Sequence, residues 1–103
     1  MGQTIEATFT PTKPETIMNL VGINDANLRL IEESYDVQVT DTGSEIEVTG
    51  EESIVKKIMQ ILTALDKVVT RGVTITATDV VSAIKMADKG TLEFFGELYN
   101  KIL

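Results

Sequence analysis

Three segments of the sequence alternate apolar and polar residues with the two-residue period of a β-strand buried on one face. The first is TIEATFT, residues 4–10. The other two lie within VQVTDTGSEIEV, residues 37–48, where Asp41–Ser44 supplies the turn of a hairpin. Because such strands need a covering layer on their apolar face, we expect one three-stranded sheet with helices packed against one side.

Amphipathic segments with helical spacing lie between the first strand and the hairpin. A capping box formed by Thr12 and Glu15 is expected to open the first helix, and Gly22 is well placed to end it. Asn24 then resembles the N-cap of a second helix, with Asp25 in its first turn. The pattern therefore predicts two short consecutive helices joined at Gly22.

Three more helices are predicted after the hairpin. Thr49 and Glu52 form a second capping box that opens the longest helix, residues 51–71, and Thr76 caps the next. The last helix runs over residues 91–103 without a C-terminal cap, which indicates a chain that continues. The residues expected to face inward include Met18, Met59 and Met86, and in the fourth helix Val80, Val81, Ile84 and Ala87. The predicted fold is α+β, in the order β-α-α-β-β-α, followed by two appended helices.

Composition narrows the chemistry that the chain can perform. Without cysteine or histidine, the 103 residues offer no disulfide, no thiolate nucleophile, no zinc site of the usual types and no histidine acid–base catalysis. Residues 1–50 carry nine acidic and two basic side chains, whereas residues 51–103 carry seven of each. Since nucleic-acid affinity depends largely on attraction between cations and phosphates, the acidic half opposes it. No uncharged run approaches the length of a membrane span, and we expect a cytoplasmic domain without membrane contact.

The predicted order of elements resembles the KH fold. In that fold a GXXG loop between the first two helices clamps the backbone of single-stranded nucleic acid. The corresponding residues here are Gly22, Ile23, Asn24 and Asp25, followed by Arg29. A carboxylate in the fourth position repels phosphate, which favours a plain helix stop at Gly22 followed by a cap. The alternative is that the loop binds RNA or a protein partner.

A second resemblance covers most of the chain. The stretch LVGINDANLRLIEESYDVQVTDTGSEIEVTGEE, with TRGVTITATDVVSAIKMA further on, is similar to the N-terminal domain of the PhoH-like (phosphate starvation-inducible) P-loop ATPases. The resemblance implies a KH-like domain at residues 1–73 and, at 74–103, a helical segment leading towards an ATPase domain. The family's Walker A loop, GxxxxGK[ST], is absent from these residues. The resemblance therefore implies ATP and Mg²⁺ for the missing domain. For this chain it implies no cofactor, no metal site and no catalytic residue.

Two functions follow as hypotheses from this resemblance. The first is a non-catalytic accessory domain that contacts its own ATPase domain or further subunits, in a protein linked to RNA metabolism or phosphate starvation. The second is a single-stranded RNA-binding module acting through the loop around Gly22, alone or with an RNA-processing protein. The aromatic residues of the last helix, Phe94, Phe95 and Tyr99, are candidates for the interface with the missing domain or a second subunit.

Overall fold

The computed structural model describes residues 3–99 and confirms an α+β fold built on a three-stranded antiparallel sheet. The strands are β1 (Thr4–Phe9), β2 (Val37–Asp41) and β3 (Ile46–Glu51), arranged in the order β1-β3-β2. The hairpin therefore forms as predicted, and β1 adds to the free side of β3. Ala7 and Val39 both lie opposite Val48, which fixes the register of the whole sheet.

Helices cover one face of this sheet. They are α1 (Ile17–Val21), α2 (Ala26–Ser34), α3 (Glu52–Thr70) and α4 (Ala77–Lys89). Short 3₁₀ helices occupy Pro14–Thr16, Ile23–Asp25 and Leu92–Tyr99. The last of these, named here the C-terminal 3₁₀ segment, stands where an α-helix was expected, and the predicted continuation over residues 100–103 lies outside the described residues.

A single hydrophobic core joins the sheet to the helices. α3 packs on β1 and β3, α2 packs on β2, and α4 lies against α2 and α3. The C-terminal 3₁₀ segment contacts α3 and α4. The core side chains that are completely buried include Leu28, Ile31, Ile46, Val48, Ile58, Ile61, Leu62, Val68, Val80, Ala83 and Phe95. The residues after position 73 thus contribute to the same core, while the domain boundary placed there remains a prediction.

Of the three helix N-caps predicted outside the segment between α1 and α2, two are wrong. The Thr12 amide and hydroxyl donate hydrogen bonds of 3.1 and 2.6 Å to the Asp66 carboxylate on α3, so this side chain caps no helix. Thr49 lies inside β3, two residues from its end, and cannot open α3. The third prediction is confirmed, because Thr76 and Asp79 form a reciprocal capping box at the start of α4.

The predicted apolar faces need two corrections. Met18 is 79% exposed because α1 turns Leu20 and Val21 inward, and Met18 lies on the opposite side of this short helix. In α4 the buried stripe contains Val80, Ala83 and Ile84, and Val81 is rotated away from it. Spacings of three and four residues, counted from Val80, describe that stripe correctly.

Two hydrogen bonds between tyrosine and aspartate hold α4 to its neighbours. The Tyr35 hydroxyl at the end of α2 donates to Asp88 at 2.7 Å, and the Tyr99 hydroxyl donates to Asp79 at 2.5 Å. Lys57 of α3 also pairs with Asp88 at 3.1 Å. Hydrogen bonds from Tyr35 and Lys57 lower the pKa of Asp88. Burial raises the pKa of Asp79, but hydrogen bonds from Tyr99 and the Thr76 cap lower it by more.

We expect these contacts to make the fold sensitive to acid. A carboxyl group with a lowered pKa in the folded state stabilises the protein above its unfolded-state pKa of 3.8, and this stabilisation is lost as the pH falls through the folded-state value. The loss between pH 5 and about pH 2.5 should therefore be smaller in Asp79→Asn and in Tyr99→Phe than in the wild type. Urea unfolding at each pH measures it, and three equal losses would contradict the prediction.

Candidate functional site

The candidate site is the loop between α1 and α2, at Gly22, Ile23, Asn24 and Asp25. Gly22 ends α1 with φ 83° and ψ 172°, as its predicted role as a helix stop requires. Asn24 and Asp25 both take the left-handed conformation, with φ of 55° and 59°. Asn24 is therefore not the N-cap of α2. Asp25 occupies that position, without a capping bond from its side chain, because two successive left-handed residues reverse the chain here.

A buried asparagine anchors this loop. Asn27, in the first turn of α2, is 4% exposed, and its side-chain amide donates a 3.0 Å hydrogen bond to the Leu20 carbonyl at the end of α1. A Cβ atom at Gly22 would lie 2.9 Å from Asn27 Cγ, so only glycine fits beneath the amide. The role of Asn27 was not identified from the sequence, although the four-residue spacing of Asn27 from buried Ile31 places it on the inner face of α2.

Arg29, the basic residue nearest to the loop, is held by carboxylates. Its guanidinium lies 3.7 Å from Asp25 and donates a hydrogen bond to Glu32. The other oxygen of Glu32 accepts a 2.8 Å hydrogen bond from the Val39 amide of β2. This chain of contacts ties the loop to the sheet and places two carboxylates against the half-exposed cation. A phosphate at the loop would have to compete with two carboxylates for Arg29.

The loop exposes apolar rather than basic surface. Ile23 is 85% exposed and Met18, five residues earlier, is 79% exposed; together they define the loop surface. A shallow hollow at this point is lined by apolar and polar residues together: Ile23, Asn24, Ala26, Arg29, Leu30, Glu33 and Ala77. Met18 and Ile23 are the two most exposed large apolar side chains among residues 3–99, and a contiguous apolar patch is what marks contact with another protein surface.

The basic residues of α3 form no continuous strip. Lys56 pairs with Glu52, and Lys57 lies between Asp88 and the ring of Tyr35. Lys67 and Arg71 lie more than two turns further along the helix, in a groove that they share with Glu93. Arg71 also donates to the Tyr99 carbonyl at 3.3 Å. Phosphate recognition by Lys56, Lys57 or Arg71 would therefore have to displace existing contacts.

The three aromatic residues proposed for an interface lie in different surroundings. Phe95 is completely buried in the core, where its ring meets the edge of the Tyr99 ring at a centroid distance of 5.3 Å. Tyr99 is half-buried and bound to Asp79. Phe94 is 48% exposed, and Leu98 beside it is 51% exposed. Of the three aromatic residues, Phe94 is the one that presents most of its ring to an outside partner.

Among residues 3–99 the structure contains no group of three or more carboxylates placed to hold a metal ion. Over the same range, no helix combines the length and the apolar character needed to cross a bilayer.

Comparison with known proteins gives one informative similarity. Neither a protein-family model nor a solved structure matches the chain. Over 88 residues, 85% of its length, the chain is 31% identical to a PhoH-like protein of Bacillus subtilis (strain 168). It spans only 28% of that relative. The chain is therefore similar to part of a PhoH-like protein.

Proposed function

We propose that this chain is the KH-like, non-catalytic N-terminal accessory domain of a PhoH-like ATP-binding protein, and that it acts through protein contact. The observation that carries the proposal is the loop surface, where Met18 and Ile23 are almost fully exposed beside a cation already neutralised by carboxylates. Covering such apolar surface with a second protein surface favours binding by about 25 cal/mol per Å² of apolar area removed from water.

The proposed partner is the ATPase portion of the same protein. The similarity to the Bacillus subtilis relative covers 28% of that protein, so most of the relative's length has no counterpart in these residues. No Gly-Lys-Ser/Thr triplet occurs in the sequence, so nucleotide chemistry belongs to that other portion. Phe94, at the C-terminal 3₁₀ segment, offers a second contact on the same partner.

The test begins by sequencing the gene beyond codon 103, so that the downstream portion of the protein can be produced separately. We expect a GxxxxGK[ST] sequence downstream, and no ATP hydrolysis by the 103-residue chain alone. Mixed with the separately purified downstream portion, the wild-type chain should bind, and Ile23→Lys should weaken binding about tenfold or more because a lysine charge would have to be buried. Val81→Lys, at an exposed apolar position of α4, is the matched control and should bind like the wild type.

Two results would contradict this proposal. The first is unchanged binding of Ile23→Lys with loss of binding by Val81→Lys, which would move the contact away from the loop. The second is binding of a single-stranded RNA oligonucleotide at micromolar concentration with a steep dependence on salt. In that case the loop around Gly22 would serve as a nucleic-acid site in spite of Asp25 and the ion pairs of Arg29.

A further inference from the structure

The two outer edges of the sheet differ in how their backbone groups are used. On β2, the Val39 amide points away from β3 and donates to the Glu32 carboxylate at 2.8 Å. The Val37 amide donates to the Tyr35 carbonyl at 2.9 Å. A strand edge with free donors and acceptors is a template for pairing with another strand. These two bonds occupy donors of the β2 edge within the chain itself.

The register shows which backbone groups of β1 face outward. In an antiparallel ladder, successive residues direct their N–H and C=O groups alternately to one neighbour and to the other. Because the Val39 amide points outward, the residue opposite it, Val48, directs its backbone groups to β1, where it pairs with Ala7. Ala7 therefore bonds inward, and Glu6 and Thr8 on either side of it direct their N–H and C=O groups away from the sheet.

The β1 edge is open in the part of the chain that the structure describes. Within residues 3–99, the outward amides of Glu6 and Thr8 donate to no other group. Ile5 and Ala7, on the helix-covered face of β1, remain partly exposed; on β2, Val37 is also partly exposed and Val39 is 1% exposed. The helical layer thus leaves apolar surface uncovered next to the unpaired backbone groups.

We propose that β1 is a homodimerisation surface, pairing antiparallel with β1 of a second copy to form a six-stranded sheet. Residues directly opposite each other must lie on the same face, so the two-fold axis passes through a residue rather than between two. Centred on Glu6, the pairing would set two like charges against each other. Centred on Ala7, it sets Glu6 opposite Thr8 and Ile5 opposite Phe9.

The register centred on Ala7 satisfies both the backbone and the side chains. The outward N–H and C=O groups of Glu6 and Thr8 meet those of Thr8 and Glu6 in the second copy. The two Ala7 residues then face each other at a position without hydrogen bonds, where opposite side chains come closest and small ones fit. The small Ala7 side chain fits this close position, and Glu6 faces the uncharged Thr8, so this register places no like charges directly opposite each other.

Charge substitutions at Thr8 test this register. Thr8→Glu would face Glu6 of the second copy, and Thr8→Lys would offer it an opposite charge, twice in each dimer. Cross-strand pairs contribute about 0.2–1 kcal/mol each, so the dimer Kd should rise roughly fivefold for Thr8→Glu and fall roughly fivefold for Thr8→Lys at low salt. Sedimentation equilibrium of the 103-residue chain over a concentration series measures both shifts.

Thr40 provides a matched control. Thr8 and Thr40 lie on opposite sides of Glu47 in the register, and both are exposed. Thr40→Glu and Thr40→Lys therefore change the charge beside Glu47 in the same way, but on the other edge, and should leave the dimer Kd unchanged. Equal effects at the two positions would overturn the proposal.

Thr8→Pro gives a second readout. It removes an outward amide without removing a bond to β3, and proline is tolerated on edge strands in that orientation. The far-UV circular dichroism spectrum should be unchanged, while the dimer is lost. A wild-type chain that sediments as a monomer up to about 1 mM, a Kd corresponding to −4.1 kcal/mol, would overturn the proposal outright.

Discussion

Phe95→Ala should lower the free energy of unfolding by about 3–5 kcal/mol, the usual cost of removing a fully buried phenylalanine ring. Phe95 is 0% exposed and belongs to the core that α3 and α4 share with the C-terminal 3₁₀ segment. Its ring meets Tyr99 edge-on, so the substitution also loosens the hydroxyl that donates to Asp79. Urea unfolding at pH 7 measures the change. A loss of this size is a large part of the stability of a small domain.

Phe94→Ala is the matched control for this experiment. It removes the same atoms from the neighbouring residue, which is 48% exposed, and should cost less than about 1 kcal/mol. Similar small losses from both substitutions would mean that the C-terminal 3₁₀ segment is not docked on α3 and α4 in solution. The comparison thus separates a residue that completes the core from one that is available to a partner.

The strands and the helix caps show what local sequence patterns can and cannot predict. Alternation identified β1 and the hairpin, because a strand buried on one face repeats every two residues whatever lies on top of it. The Thr76 cap was found because threonine is a favoured N-cap residue directly before an apolar helical pattern, and the structure adds Asp79 as its partner. Thr12 was misassigned because its partner, Asp66, is 54 residues away. A hydrogen bond over that distance in sequence follows from the packing of α3 against the chain before α1, which no local pattern records.

The candidate site was likewise predictable in position but not in chemistry. Gly22 was identified as a helix stop from its place after an apolar segment, and the structure confirms a positive φ there. The contacts of Arg29 with Asp25 and Glu32 lie within one helix turn of it and could have been read from their spacing. The bond from Glu32 onward to Val39 depends on how α2 lies over β2. That placement turns a basic residue beside a glycine loop into part of a neutralised network.

Gly22→Ala should lower the free energy of unfolding by about 2–4 kcal/mol, for two separate reasons. With φ 83° and ψ 172°, Gly22 lies in a region that is essentially restricted to glycine, which costs about 1–3 kcal/mol for another residue. The new Cβ would also lie 2.9 Å from Asn27 Cγ and 3.2 Å from its backbone nitrogen, closer than the buried amide can tolerate. Gly90→Ala is the control: φ is 78° there too, but a Cβ meets nothing within 4 Å, and about 1–2 kcal/mol is expected.

A double-mutant cycle separates backbone strain from the contact with Asn27. Asn27→Ala removes the amide that a Cβ at Gly22 would strike, at the cost of leaving the Leu20 carbonyl without its donor. If the contact matters, the double variant should be more stable than the sum of the single losses predicts, by at least about 0.5 kcal/mol. Strict additivity would assign the whole loss to the backbone of Gly22. In either case the fold requires glycine at this position for reasons internal to the loop, without any phosphate to be bound.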